Sequence, residues 1–208
     1  MDRAADPRQA ATTSRRDVVR RGLLAAAALG VGGGVGLLTR PAGAQAAAPS
    51  PAQDRRIFNF ALLLEYLQAT FYTEAVEHGR LRGEVKRFAE IVSEHERAHV
   101  AYLRKALGPH ARPRPTFDFH GATRKERPFV KAAVVLENAG VLAYNGQAAN
   151  LTKPALAAAA EIVSVEGRHA AWISDLAGEP PAPHAADVGA PSSQVLRRLD
   201  ALGFRTTS

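Results

Sequence analysis

The stretch AEIVSEHERAH spans residues 89–99, and a near copy, AEIVSVEGRH, spans residues 160–169. The shared AEIVS falls out of register by one position, so it carries no structural meaning. What survives in both copies is Glu-x-x-His: Glu96 with His99, and Glu166 with His169. Three residues apart on an α-helix, a Glu and a His lie on one face, one turn from each other. With twelve Glu and seven His in 208 residues, chance supplies less than one such pair. The weight of the pattern therefore rests on what surrounds it.

Working outward, apolar residues recur at spacings of three and four on both sides of each tetrad. Ser50-Pro51-Ala52-Gln53 is a helix start, with a capping Ser, Pro at the first helical position and Gln three on. The helix it opens carries Phe58, Ala61, Glu65, Gln68 and Tyr72 on one stripe and ends near His78-Gly79. A second helix runs from about Gly83 to Leu107, with Phe88, Val92, Glu96, His99 and Leu103 in register and Gly108 as its stop. A third begins between Thr123 and Pro128 and runs to about Asn150, carrying Val130, Val134, Glu137, Val141 and Tyr144. Thr123 and Glu126 have the spacing of a capping box, but Pro128 is awkward inside a helix, so the start stays open. A fourth runs from Thr152 to Leu176 with Ile162, Glu166, His169 and Ile173 aligned. These are the core stripes of an all-α four-helix bundle. Glu, His and Gln hold stripe positions that ought to be apolar.

The joints order the helices. Short turns near His78–Arg82 and Leu151–Lys153 make two antiparallel hairpins, and Pro109–Gly121, with three prolines, separates them. A helix of 25 residues is about 37 Å long, and thirteen extended residues reach about 43 Å. The link is thus long enough to cross from one end of a bundle to the other. Along each hairpin, Glu65, the Glu96/His99 pair, Glu137 and the Glu166/His169 pair all lie about fifteen to seventeen residues from their turn, hence at nearly one height. The hairpins also match in detail: Tyr72 follows Glu65 by seven, as Tyr144 follows Glu137, and Tyr102 and Trp172 each follow a tetrad His by three. One helical hairpin has been duplicated.

Four carboxylates in one buried layer repel each other, and burying each without a cation costs several kcal/mol. A layer of Glu–His hydrogen bonds that merely fixes helix register is the rival reading, but two imidazoles cannot neutralise four charges. Two divalent cations can, and an oxygen and nitrogen ligand set suits iron or manganese.

A Glu from each of two helices plus Glu-x-x-His from each of two others resembles the ligand set of the ferritin-like di-iron and di-manganese carboxylate bundles. A closer resemblance is to the exported ferritin-like domain family that includes desiccation-related proteins. It rests on LLLEYLQATFY (62–72), EHERAHVAYL (94–103), LENAGVLAYNG (136–146) and VEGRHAAWI (165–173), and covers residues 53–177. The resemblance implies that Glu65, Glu96, His99, Glu137, Glu166 and His169 bind two iron or manganese ions per chain. Glu96 and Glu137 are expected to bridge or move. It further implies an oxidoreductase acting on O₂, peroxide or Fe(II), of ferroxidase, peroxidase or catalase type. The alternative is a metal-binding or stress-protective bundle with little turnover, and either could form a homo-oligomer. Tyr72 and Tyr144 are candidate catalytic residues that could donate to a carboxylate or relay an electron, and each reads equally as a core Tyr with a satisfied hydroxyl. Tyr102 and Trp172 read as packing, and His95, off the stripe, as a surface residue or one that backs a ligand.

The first 44 residues stand apart. Ser14-Arg15-Arg16-Asp17-Val18-Val19 precedes an apolar Gly/Ala-rich run from Gly22 to Leu38, then Ala42-Gly43-Ala44. This resembles a twin-arginine export signal cleaved near Ala44, which predicts a periplasmic or extracellular protein. The apolar run is too short and too weakly apolar for a stable membrane anchor. Residues 1–44 hold seven Arg and three Asp, so the remainder carries 20 basic and 17 acidic residues, a balance of +3. That charge implies no nucleic-acid partner. Residues 45–178 form the expected bundle domain and 179–208 a Pro/Ala-rich tail, in which Ser193–Leu202 is either a short packed helix or loose chain. The chain has no Cys and its one Met is Met1. Disulfides and iron–sulfur clusters are therefore excluded and no haem is expected.

Overall fold

The structure, a computed structural model, describes residues 48–204; the expected signal segment lies outside them. Four long helices are present: α1 (Pro51–His78), α2 (Gly83–Leu107), α3 (Glu126–Gln147) and α4 (Lys153–Leu176), followed by a short α5 (Ser192–Asp200). No extended strand occurs among the described residues. No helix among them is long and apolar enough to cross a membrane.

The start of α1 forms as its sequence dictates, with Ser50 Oγ accepting from Gln53 N at 3.2 Å and Pro51 in the first turn. At the end of α2, Gly108 takes φ 54°, the left-handed region where a side chain is strained. Lys125 stands at the head of α3 without a side-chain cap bond. Pro128 is thus the third helical residue, where its missing N–H has no intrahelical acceptor to lose. Thr123 and Glu126 do not form a capping box: Thr123 Oγ1 instead donates to Glu74 Oε1 on α1 at 2.5 Å. A 3₁₀ turn, Ala148–Asn150, closes α3, slightly short of the expected end.

α1 packs chiefly on α2 and α3 on α4, with lighter α1–α3 and α2–α4 contacts closing the bundle. Hydrogen bonds at both ends fix the path of the crossover. Arg112 N donates to Asn59 Oδ1 (2.8 Å) near the start of α1. Arg80 N, in the first turn at the opposite end, donates to Arg124 O (3.1 Å). The segment between α2 and α3 therefore travels the length of the bundle, as its reach predicts. Asp54 then ties the head of α1 to that of α4, accepting from Thr152 N (3.0 Å) and Oγ1 (2.6 Å). α1 and α4 consequently run parallel, each antiparallel to its hairpin partner.

Two apolar clusters fill the bundle, one towards each end. The first is aromatic: Phe71 stacks on Phe129 (5.3 Å, 5°) and meets Phe119 and Tyr72 edge-on. The second holds Phe58, Leu62, Leu103, Leu107, Leu151 and Ile162. α5 joins the first cluster through buried Val195 and Leu199 and packs against α3, so the tail helix is docked and not loose. Between the clusters, at the mid-height of all four helices, lies the polar layer.

Candidate metal centre

Each helix contributes from the middle of its core stripe. Glu65 comes from α1, Glu96 and His99 from α2, Glu137 from α3, and Glu166 and His169 from α4. Glu96, Glu137 and Glu166 are wholly buried, Glu65 and His169 nearly so, and His99 is 9% exposed. His99 Nδ1 stands 3.3 Å from Glu65 Oε2, 3.4 Å from Glu96 Oε2 and 3.2 Å from Glu166 Oε1. His169 Nδ1 stands 3.1 Å from Glu96 Oε1, 3.3 Å from Glu137 Oε2 and 3.9 Å from Glu166 Oε1. One imidazole N–H can serve one oxygen, not three. Despite the short distances none of these contacts has hydrogen-bond geometry. Glu65 Oε2, both oxygens of Glu96, Glu137 Oε2, Glu166 Oε1 and the two Nδ1 atoms are all buried without a partner.

The outward-facing carboxylate oxygens are satisfied by protein. Tyr144 on α3 donates to Glu65 Oε1 at 2.6 Å, and Tyr72 on α1 donates to Glu137 Oε1 at 2.5 Å. Each tyrosine thus serves the Glu of the other hairpin and not the Glu seven residues before it. Gln68 Nε2 adds a bond to Glu137 Oε1 (3.1 Å) and a longer one to Glu166 Oε2 (3.5 Å). The result is a division of labour by atom. Glu65 and Glu137 each keep one oxygen free, Glu166 keeps Oε1, and Glu96 keeps both.

These free atoms fall into two groups, each able to hold a metal ion: Glu65, Glu96, His99 and Glu166, and Glu96, Glu137, Glu166 and His169. Glu96 and Glu166 belong to both. Of the two carboxylates expected to bridge or move, Glu96 thus falls in both groups and Glu137 in the second only. Its second oxygen is held away by Tyr72 and Gln68.

The electrostatics are those of an over-concentrated negative layer. Burial, then Glu65, pushes Glu96 well above the ordinary carboxylate range. Burial, then Glu96 and Glu65, does the same to Glu166. Burial works upwards on Glu65, but the neighbouring His99 imidazole and Glu96 carboxyl outweigh it and hold that carboxyl below its usual range. For His99 burial works downwards, yet Glu166, Glu65 and Glu96 together raise it far above a normal imidazole. Burial, followed by Glu137 for Tyr72 and Glu65 for Tyr144, pushes both phenols well up, so both remain donors at neutral pH.

The sequence missed two features and left a third open between two readings. Gln68 is legible as a polar residue on a core stripe, but its two carboxylate partners are not. Gly140 is silent in the sequence, yet a Cβ there would come within 2.5 Å of Glu166 Oε2. His95 is exposed, as its position off the stripe suggests, and it also reaches His169 Nε2 with Nδ1 at 2.9 Å. Trp172 packs edge-on against Phe88 (5.2 Å), whereas Tyr102 is 39% exposed and lies outside the core.

A bundle of two helical hairpins, with a buried Glu/His cluster that could hold metal ions at its centre, defines the class of protein. The family model described as a ferritin-like domain matches residues 53–179, and the chain belongs to that family. No curated protein matches the chain.

Proposed function

We propose that the chain is a dinuclear metal protein in which Glu65, Glu96, His99, Glu137, Glu166 and His169 hold two iron or manganese ions. The observation that carries this reading is the set of seven buried, unpartnered donor atoms converging from four helices in two overlapping groups. Left alone, such atoms each cost on the order of 1–3 kcal/mol. Four carboxylates and two neutral imidazoles leave two divalent cations with no net charge, and oxygen and nitrogen donors suit iron and manganese.

Bound there, the two ions would supply one-electron redox steps to O₂, peroxide or Fe(II), which makes the protein an oxidoreductase. The chain's own part is to arrange charge. Tyr144 and Tyr72 keep Glu65 and Glu137 presenting one oxygen each. Gln68 turns Glu166 so that only Oε1 faces inward, and Glu96 can span both positions. The tyrosines act here as positioning residues through those carboxylates. With no Cys, and no Met after Met1, the chain is poor in side chains that oxidants attack first.

We further propose export by the twin-arginine-type segment before Ala44. The test is metal analysis of protein matured by its own export route, followed by Fe(II) oxidation and peroxide consumption assays. Two equivalents of iron or manganese with turnover support the oxidoreductase. Two equivalents without turnover favour a sequestering or stress-protective bundle. Metal-free protein that takes up neither ion overturns the reading.

A further inference from the structure

The duplication that built the two hairpins is broken at one point beside the centre. In α2 the residue before the tetrad Glu is His95, whereas in α4 the corresponding residue is Val165. His95 Nδ1 lies 2.9 Å from His169 Nε2, with ring centroids 5.2 Å apart and planes 17° from parallel. His99 has no hydrogen-bond partner of this kind among the described residues, and Val165 carries no polar atom to give it one.

The tautomer follows from ligation at Nδ1. His169 Nδ1 faces Glu96 Oε1 and Glu137 Oε2 at 3.1 and 3.3 Å. To ligate there it must be unprotonated at Nδ1, so its hydrogen sits on Nε2, aimed at His95 Nδ1. A ligand imidazole whose far N–H is bonded is fixed in tautomer and orientation and is a stronger donor to the metal. His99, 9% exposed, has no such partner among the described residues.

We propose that His95 makes the two metal positions unequal: it holds His169 in place, so the position formed by Glu96, Glu137, Glu166 and His169 fills first and binds more tightly than the position at His99. This rests on the dinuclear reading above. His95 is a positioning residue, acting on the metal only through His169. Because it is exposed, its replacement leaves the core packing untouched.

The experiment is anaerobic titration of the metal-free full-length mature protein with Mn(II) alone, followed by calorimetry, for wild type, His95→Ala and His95→Asn. Asn carries an acceptor oxygen near the place of the imidazole Nδ1, so it tests the hydrogen bond and not the ring. Wild type should show two steps. His95→Ala should weaken the tighter step by about 10–100-fold and leave the weaker one unchanged, while His95→Asn recovers most of the loss. Helix content by circular dichroism should be equal in all three. Two identical steps in wild type, an unchanged His95→Ala titration, or equal weakening of both steps overturns the inference while two-ion binding still stands. Absence of Mn(II) and Fe(II) binding in all three proteins overturns the dinuclear reading and the inference with it.

Discussion

Glu166 rests its carboxylate in the space where Gly140 lacks a side chain: a Cβ on Gly140 would stand 2.5 Å from Glu166 Oε2 and 3.7 Å from Gln68 Nε2. The glycine lies inside α3, where it weakens the helix by about 1 kcal/mol relative to Ala. The matching position on α1, three residues after Glu65, is Gln68. One hairpin thus provides the amide that turns Glu166, and the other provides the room for it.

Gly140→Ala should therefore separate stability from metal binding. The metal-free variant gains up to about 1 kcal/mol from helix propensity. Its metal affinity falls about tenfold or more, because Glu166 must swing away from the shared position. Denaturant unfolding and metal titration of the same preparation check both.

Glu137→Ala should remove most of the bound metal, while Glu94→Ala retains it. Glu137 is wholly buried at the centre, and Glu94, two residues before Glu96, is exposed. Metal content per chain after gel filtration decides. Equal loss from both would contradict the register of α2.

Tyr144→Phe leaves Glu65 Oε1 buried without its donor. A hydrogen bond to a charged group contributes about 2 kcal/mol, so the metal-loaded variant should unfold at lower denaturant by about that free energy. Both ions should stay bound, since Glu65 Oε2 is untouched. Tyr72→Phe should lose less, because Gln68 still donates to Glu137 Oε1.

The metal-free protein should lose stability as pH rises from about 5 to 8. Glu96 and Glu166 have folded pKa values raised well above 4.5. Above pH 4.5 the folded state therefore holds protons that the unfolded state has released, and stability falls with pH. The raised His99 adds the same sign above its ordinary 6.5. Bound metal replaces those protons, so the stabilisation it brings should grow over the same range. Thermal or urea unfolding with and without Mn(II) at several pH values tests this.

Replacing Arg15 and Arg16 by Lys should leave the precursor in the cytoplasm. A twin-arginine signal is read by a receptor, and Lys keeps the charge at both positions while removing the planar guanidinium. Cell fractionation with immunodetection gives the answer. Normal export of the double variant would remove this account of localisation.

The sequence by itself determined the helices and the ligand-type residues. Ser50 with Pro51, Gly108 and the 3.6-residue stripes act locally, within a turn or two, so their consequences can be read without knowing the fold. Equal distances from two short turns bring six polar side chains to one height for the same reason. What the tertiary structure decided is every relation between helices. Tyr72 and Tyr144 look like partners of their own helix's Glu, yet each crosses to the other hairpin, since at seven residues along one helix the separation is about 10 Å. Glu166 falls with Glu96 in both donor groups and Glu137 in one, although each keeps a single free oxygen, because the helix positions decide which atoms that oxygen meets. Gly140 and His95 gain their meaning only from α4 lying against α3 and α2. Spacing along a chain sets which face a residue occupies; only packing sets which atom it meets there.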